Sequence, residues 1–146
     1  MAHTLHYLLM ATHAIFQKRV LAELRDSGLT TGQPKVLDHL HNHDGDSQKN
    51  IARGCHIEPG SLTTLLKGME AKALIARRNL NGNRKTSHIF MTDKGRAMNA
   101  RTQDAFRTME AQAWRGISAE EQAQFMATFA KIYDNLTERG ADIDKQ

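Results

Sequence analysis

Apolar residues recur along this chain mostly at helical spacing, and turn residues stand where that spacing breaks. Leu5, Leu8, Leu9, Ile15, Phe16, Val20 and Leu24, with Thr12 filling one gap, predict a long amphipathic helix that Ser27-Gly28 stops. Thr30 and Gln33 have the spacing of a capping box for a second helix carrying Val36, Leu37 and Leu40. Pro34 falls in its opening turn, where a missing backbone donor is tolerated. Asp44-Gly45-Asp46-Ser47 reads as a turn, and Ser47 is placed to cap a short helix containing Ile51 and Ala52. Pro59 suits the first position of the next helix, in which Leu62, Leu65, Leu66 and Met69 form one apolar stripe. Gly60, Ser61, Thr63, Thr64 and Lys67 lie off the stripe and are expected to face outward.

Beyond that helix, Leu74 to Arg78 and Ser87 to Met91 are strand candidates, with Ile75, Ile89 and Phe90 as their large apolar or β-branched residues. Arg77-Arg78 and Arg84-Lys85 flank Asn81-Gly82-Asn83, a charged loop between the two strands. Thr92 is placed to cap a long helix reaching about Trp114. Ser118 and Glu121 form a second capping box, with Ile117 before it as in a hydrophobic staple. The last helix carries Phe125, Phe129, Ile132, Tyr133 and Leu136 on one face, and a disordered tail is expected from Gly140. The fold class is therefore mainly α: a helix-turn-helix followed by a basic hairpin, flanked by N- and C-terminal helices. Such a unit offers one helix to a DNA groove and a basic finger to the flanking backbone.

Composition narrows the setting. A chain of 146 residues forms one domain or two small subdomains sharing a core. Its single cysteine, Cys55, excludes an internal disulfide framework and fits a reducing compartment. No apolar run reaches membrane-spanning length and no signal peptide is recognisable, so a soluble cytoplasmic protein is expected, with no membrane partner. The net charge of +4 is unevenly placed. Residues 45–101 hold 11 Lys/Arg against 4 Asp/Glu, a balance of +7, while the rest of the chain holds 9 against 12, a balance of −3. That asymmetry favours a polyanion partner for the central unit. The expected DNA contacts are Ser61, Thr63, Thr64 and Lys67 on the second helix of the motif, and Gln48, Lys49 and Arg53 near the first. Arg77, Arg84 and Lys85 join them on the hairpin.

From Leu29 to Gly95 the residues resemble the multiple-antibiotic-resistance repressor (MarR) family of winged-helix regulators, and in element order the likeness covers essentially the whole chain. Leu29-Thr30-x-x-Gln33 resembles the opening of the family's second helix, and Ile51-Ala52 stands where it usually has Leu-Ala. Glu58-Pro59-Gly60-Ser61-Leu62-Thr63-Thr64-Leu65-Leu66 resembles its recognition helix, Asp-Pro-Ser-Thr-Val-Thr-Arg-Leu-Leu. Met69-Glu70-x-x-Ala73-Leu74-Ile75 follows Leu-Glu-x-x-Gly-Leu-Ile, and Met91-Thr92-x-x-Gly95 resembles the Leu-Thr-x-x-Gly that leads out of the wing. The resemblance implies one MarR-like domain over residues 1–146, with a DNA-binding lobe at 29–98 and a helical dimerisation region at 1–28 and 99–139. It implies double-stranded DNA and a second copy of the chain as partners. It further implies a repressor released by a small-molecule effector bound between lobe and dimerisation region. For that pocket the first two helices offer Met10, His13, Phe16 and Leu37, residues that apolar packing explains equally well.

Two departures from the family pattern bear on reading. Its wing carries Asp-x-Arg, whereas the same register here is Asn83-Arg84-Lys85, without the bracing carboxylate. Thr64 stands where the family often has Arg, removing a bidentate guanine contact of the kind worth ~1–3 kcal/mol of discrimination. A different operator preference, or readout supplemented by DNA shape, is expected.

Other chemistries are less well supported. His39 and His43 share a helix face and His3 and His6 are three apart, which raises a metal site, but surface histidines explain the spacing better and no metal or cofactor is expected. Cys55, with Arg53 and His56 to lower its pKa, raises a redox switch; a small buried turn residue is the simpler reading. No nucleophile triad, phosphate loop or carboxylate pair points to an enzyme. The competing function is a winged-helix protein-interaction module without sequence-specific DNA binding, or a metal- or redox-responsive regulator.

Overall fold

The computed structural model of the chain describes residues 2–82 and 86–144. Six helices and one antiparallel hairpin follow each other in the order that the apolar pattern predicts. Helix α1 (Leu5–Glu23) starts at Thr4, whose hydroxyl accepts from the Tyr7 amide. Helix α2 (Gln33–His43) carries Pro34 in its first turn but forms only half of the expected capping box. Gln33 Oε1 accepts from the Thr30 amide, while Gly32, at φ 91°, occupies the cap itself. Ser47 caps α3 (Gln48–Cys55) by accepting from the Asn50 amide, and α4 (Pro59–Ala71) opens on its proline. Strands β1 (Ile75–Arg78) and β2 (His88–Met91) pair with Ile75 opposite Met91 and Arg78 opposite His88. Each is one residue shorter than the pattern suggests. Helix α5 (Asp93–Ala113) follows Thr92, and α6 (Ala119–Asp144) follows Ser118.

The chain divides into two compact units, Met1–Met109 and Glu110–Gln146. In the first, the main core is built from three neighbouring helices and the hairpin. Val36, Leu37 and Leu40 of α2, Ile51, Ala52 and Cys55 of α3, and Leu62, Leu66 and Met69 of α4 meet Leu74, Ile75, Ile89 and Met91. The stripe on α4 is the centre of this cluster: Leu62, Leu66 and Met69 are fully buried and Leu65 lies at its edge. Each such side chain contributes ~1.5–3 kcal/mol relative to its exposed state. A smaller cluster joins Val20 and Leu24 to Ala105 and Met109, with Phe16 and Phe106 packed against it. The remainder of the α1 apolar face, including Leu5, Leu8, Met10 and Ile15, is exposed.

In the second unit Trp114 meets Phe125 edge-on, with ring centres 5.9 Å apart, and Phe125 stacks on Phe129. Ser118 Oγ accepts from the Glu121 amide as the capping box predicts. The staple does not form, because the helical residue that Ile117 should meet is Gln122, whose side chain donates to the Ile117 carbonyl instead. The expected tail disorder is also corrected: α6 runs through Gly140 to Asp144. A glycine costs a helix only ~1 kcal/mol relative to alanine, and no proline follows to stop the propagation. Phe125, Met126, Phe129, Tyr133 and Leu136 are exposed on this helix.

The joint between hairpin and α5 is the tightest backbone contact. The Thr92 hydroxyl accepts from the Gly95 amide and donates to the Ala73 carbonyl, while the Thr92 amide donates to the Leu74 carbonyl. A Cβ on Gly95 would lie 2.0 Å from the Leu74 oxygen, so only glycine fits. Ala73, in contrast, is exposed and sits at φ 60°, a left-handed conformation that its own Cβ disfavours. Opposite outcomes follow for two substitutions measured by urea unfolding. Gly95→Ala lowers stability by ~2–3 kcal/mol despite alanine's higher helix propensity. Ala73→Gly raises it by ~1 kcal/mol.

Candidate nucleic-acid interface

Burying Leu62, Leu66 and Met69 turns the opposite side of α4 to solvent, which leaves Ser61, Thr64 and Lys67 exposed. Lys49 and Arg53 are exposed on α3. The turn that precedes α3 is fastened to the hairpin: the Gly45 amide donates to the Ile89 carbonyl, the Ile89 amide to the Asp46 carbonyl, and the Gln48 amide to the Ser87 carbonyl. Ser47 and His88 thereby form a β-bridge, so β2 is paired on both edges. This short third partner has no apolar alternation and is invisible in the pattern. It fixes where α3 begins relative to the wing strands.

Alternation along β1 separates the two arginines that follow Ile75. Arg77 shares the inward face with Ile75 and pairs across the sheet with fully buried Ile89. Its side chain reaches both motif helices, with Nε donating to Glu70 Oε1 and Nη1 donating to Gln48 Oε1 at 2.8 Å. Gln48 Nε2 donates to Thr63 Oγ1 at 2.9 Å, and Thr63 Oγ1 donates to the Pro59 carbonyl. Three residues expected to touch DNA are thus brought together, but onto one another. Arg78 is exposed on the other face, its guanidinium 5.1 Å from the centre of the Phe90 ring. Arg84 and Lys85, the remaining hairpin expectations, and Asn83 beside them lie outside the described residues.

The histidine and cysteine expectations resolve locally. His39 and His43 do share a face and stack at 4.7 Å, but His39 Nε2 donates to Asp46 Oδ2 at 2.9 Å. Among the described residues no three His, Cys, Asp or Glu side chains converge as metal ligands would. Cys55 is buried at the end of α3, its thiol directed at the Lys35 carbonyl. Burial pushes that thiol up, not down as a reactive-thiol reading with Arg53 and His56 requires; Lys35 opposes the rise and Asp38 adds to it.

A cavity of about 730 Å³ opens among α1, α2, α4 and α5. Phe16, Leu21, Pro34, Leu65 and Phe106 give it apolar walls, and His13, Lys35 and Asp38 place polar groups on it. The Phe16 and Phe106 rings are nearly parallel, 6.5 Å between centres. Ser61 and Thr64 of α4 also line it. Of the four residues expected in an effector pocket, His13 and Phe16 are here. Leu37 is instead a core residue and Met10 an exposed one, neither lining the cavity. Helical periodicity could place those residues on faces but could not say which face meets a void. Leu65 and Phe106 were missed because their spacing reads as ordinary core.

A helix-turn-helix closed by a paired two-stranded wing is the winged-helix architecture. The sequence model of the MarR family matches residues 27–85. Among solved structures the chain is similar to a MarR-family transcriptional regulator from Silicibacter pomeroyi, at 25% identity, covering 88% of this chain and 87% of that one, with a TM-score of 0.78. It is also similar to MepR of S. aureus in complex with DNA, at 25% identity, 92% and 99% coverage and a TM-score of 0.83. A third similar structure is a Mycobacterium tuberculosis MarR family protein in complex with salicylic acid, at 26% identity, 90% and 97% coverage and a TM-score of 0.69. Residues 27–85 thus match the MarR family, and over most of its length the chain is similar to transcriptional regulators of that family.

One carboxylate underlies the geometry of the motif. Burial alone would raise the Asp46 carboxyl. Hydrogen bonds from the His39 and Asn50 side chains and the Ser47 amide, with the His39 charge, outweigh burial and hold it below its ordinary value of 3.8. Because the folded pKa is the lower one, the stabilisation is present above the unfolded value and is lost as pH falls through the folded value. Asp46→Asn is therefore expected to cost ~1–2 kcal/mol at neutral pH. The gap between variant and wild type should close on acidification below about pH 4, as urea unfolding across a pH series will show.

Proposed function

We propose that this protein is a MarR-family regulator: a homodimeric, DNA-binding transcriptional repressor that a small apolar molecule releases from a palindromic operator. The observation that carries this reading is the solvent-facing side of α4, where Ser61, Thr64 and Lys67 stand exposed within a segment of balance +7. A helix presented this way by a winged helix enters the major groove, and surrounding cations lower the cost of approaching phosphates. The DNA complex of MepR supports carrying this role to the chain. Lys49, Arg53, Arg84 and Lys85 supply backbone contacts in this reading. Residues 29–98 act on DNA, while 1–28 and 99–139 hold the dimer together.

A second copy accounts for the apolar side chains left in water. Leu5, Leu8, Met10 and Ile15 on α1, and Phe125, Phe129, Tyr133 and Leu136 on α6, are more than a lone soluble chain ordinarily exposes. Twofold symmetry then offers two reading helices to two half-sites. Effector release rests on the cavity, which Ser61 and Thr64 share with apolar walls, so an occupant touches the reading helix directly. It acts by favouring a spacing of the two helices that misfits the operator. The salicylic acid complex of the M. tuberculosis relative supports a ligand-responsive protein. Such a regulator acts in the cytoplasm and needs no catalytic chemistry.

Selection from a random duplex library tests the reading. The enriched sequences are expected to be palindromic, with half-site centres ~10–10.5 bp apart, bound by a species that sediments as a dimer. Lys67→Gln should reduce the slope of log affinity against log salt by ~0.9, the signature of one lost phosphate contact. Salicylate should weaken wild-type binding and lose that effect in Leu21→Trp, which fills the cavity. Enrichment of no sequence at all would favour the protein-interaction module instead.

A further inference from the structure

We infer that Arg77 is a positioning residue: it sets the direction of a hydrogen-bond chain that fixes the reading helix, and it contacts no DNA itself. This rests on the DNA reading proposed above and deepens it, because it divides the motif's polar residues into those that hold the helix and those left to read.

The chain of bonds has only one consistent direction. A guanidinium donates and cannot accept. Arg77 Nη1 at 2.8 Å therefore requires that Gln48 present its oxygen, which turns Gln48 Nε2 toward Thr63 Oγ1 at 2.9 Å. Thr63 must then accept, and its own proton goes to the Pro59 carbonyl at 3.0 Å. Arg77 Nε is meanwhile held by Glu70 near the other end of α4. One side chain from β1 thus ties the first turn of α4, the start of α3 and the last turn of α4 together. A lysine ammonium places its three donors on one nitrogen and lacks the fork whose Nε and Nη1 make the two contacts here.

The same geometry removes these groups from readout. A glutamine reads adenine with its oxygen and its amide nitrogen together, and Gln48 has both engaged within the protein. The hydroxyl of Thr63 accepts from Gln48 and donates to Pro59. Arg77 lies opposite buried Ile89 in the hairpin, with its guanidinium engaged by Glu70 and Gln48. Base selection falls to Ser61 and Lys67, which are exposed, and to Thr64, also exposed, whose hydroxyl donates to the Gly60 carbonyl and keeps its lone pairs for accepting.

Two substitutions, with Arg77→Gln as the charge-removing control, separate positioning from phosphate contact. Arg77→Lys keeps the positive charge but loses the fork. Glu70→Gln removes a negative charge from a residue that cannot bind phosphate. Each full-length variant is measured against the duplex enriched by wild-type protein and against a random-sequence duplex across a salt series. Urea unfolding confirms that the variants are folded, and Gln48→Met, which breaks the same chain of bonds, replaces any that is not. Positioning predicts that both variants lose ~10-fold or more of the preference for the enriched duplex. It also predicts that the salt slope on random duplex stays at the wild-type value. The inference is overturned if Arg77→Lys retains full preference, if Glu70→Gln binds the enriched duplex as well as or better than wild type, or if Arg77→Gln lowers the salt slope by ~0.9. Wild-type protein that prefers no duplex would remove the DNA reading itself, and with it the role of the chain of bonds. Preference in wild type that survives in the variants would remove only the role of Arg77.

Discussion

Burial of Leu62, Leu66 and Met69 against α2, α3 and the hairpin is the constraint from which the functional half of this molecule follows. Helical geometry couples the two sides of α4, so sinking one stripe into the core aims the other outward. The stripe also fixes the rotation of the helix to within the width of a side chain, which apolar packing at crystal-like density enforces. At the rim of the core, hydrogen bonds among Gln48, Thr63, Arg77 and Glu70 add polar ties between α3, α4 and β1.

Two anchors of different chemistry therefore support the motif. Asp46 gathers His39, Asn50 and the Ser47 amide at the front of α3, and the β-bridge at Ser47 binds that turn to β2. Arg77 reaches the same helix from the neighbouring strand. The strands of the wing thus brace the helix-turn-helix. A charged residue in such a segment has two quite different uses, and the period-two alternation of the strand decides between them. Ile75 and Arg77 fall inward together, and Arg78 falls outward over Phe90.

Much of this was legible in the residues. Ser47, Thr92 and Ser118 cap the helices they precede, Pro59 opens α4, and both strands lie within a residue of the expected limits. These features are local, set by a few neighbours in the chain. The errors share a different origin. The missing staple at Ile117 came from reading an apolar residue without checking its helical partner, Gln122. Helix α6 extends past Gly140, where a disordered tail was expected, because helix propagation tolerates a single glycine. The engagement of Gln48, Thr63 and Arg77 depends on contacts across 15 to 29 positions, which no spacing rule encodes. The cavity was found only in part for the same reason: His13 and Phe16 reach it, Leu37 turns into the core, and Leu65 and Phe106 arrive from distant segments.

In the proposed function the protein is a twofold reader of duplex DNA whose recognition helix is aimed by its own core. Hydroxyl-radical footprinting of the enriched duplex tests that claim most directly, because it reports where the protein sits on each strand. Two protected patches related by a twofold axis, centred ~10–10.5 bp apart, are predicted. A single patch, or uniform cleavage along the duplex at saturating protein, would contradict it.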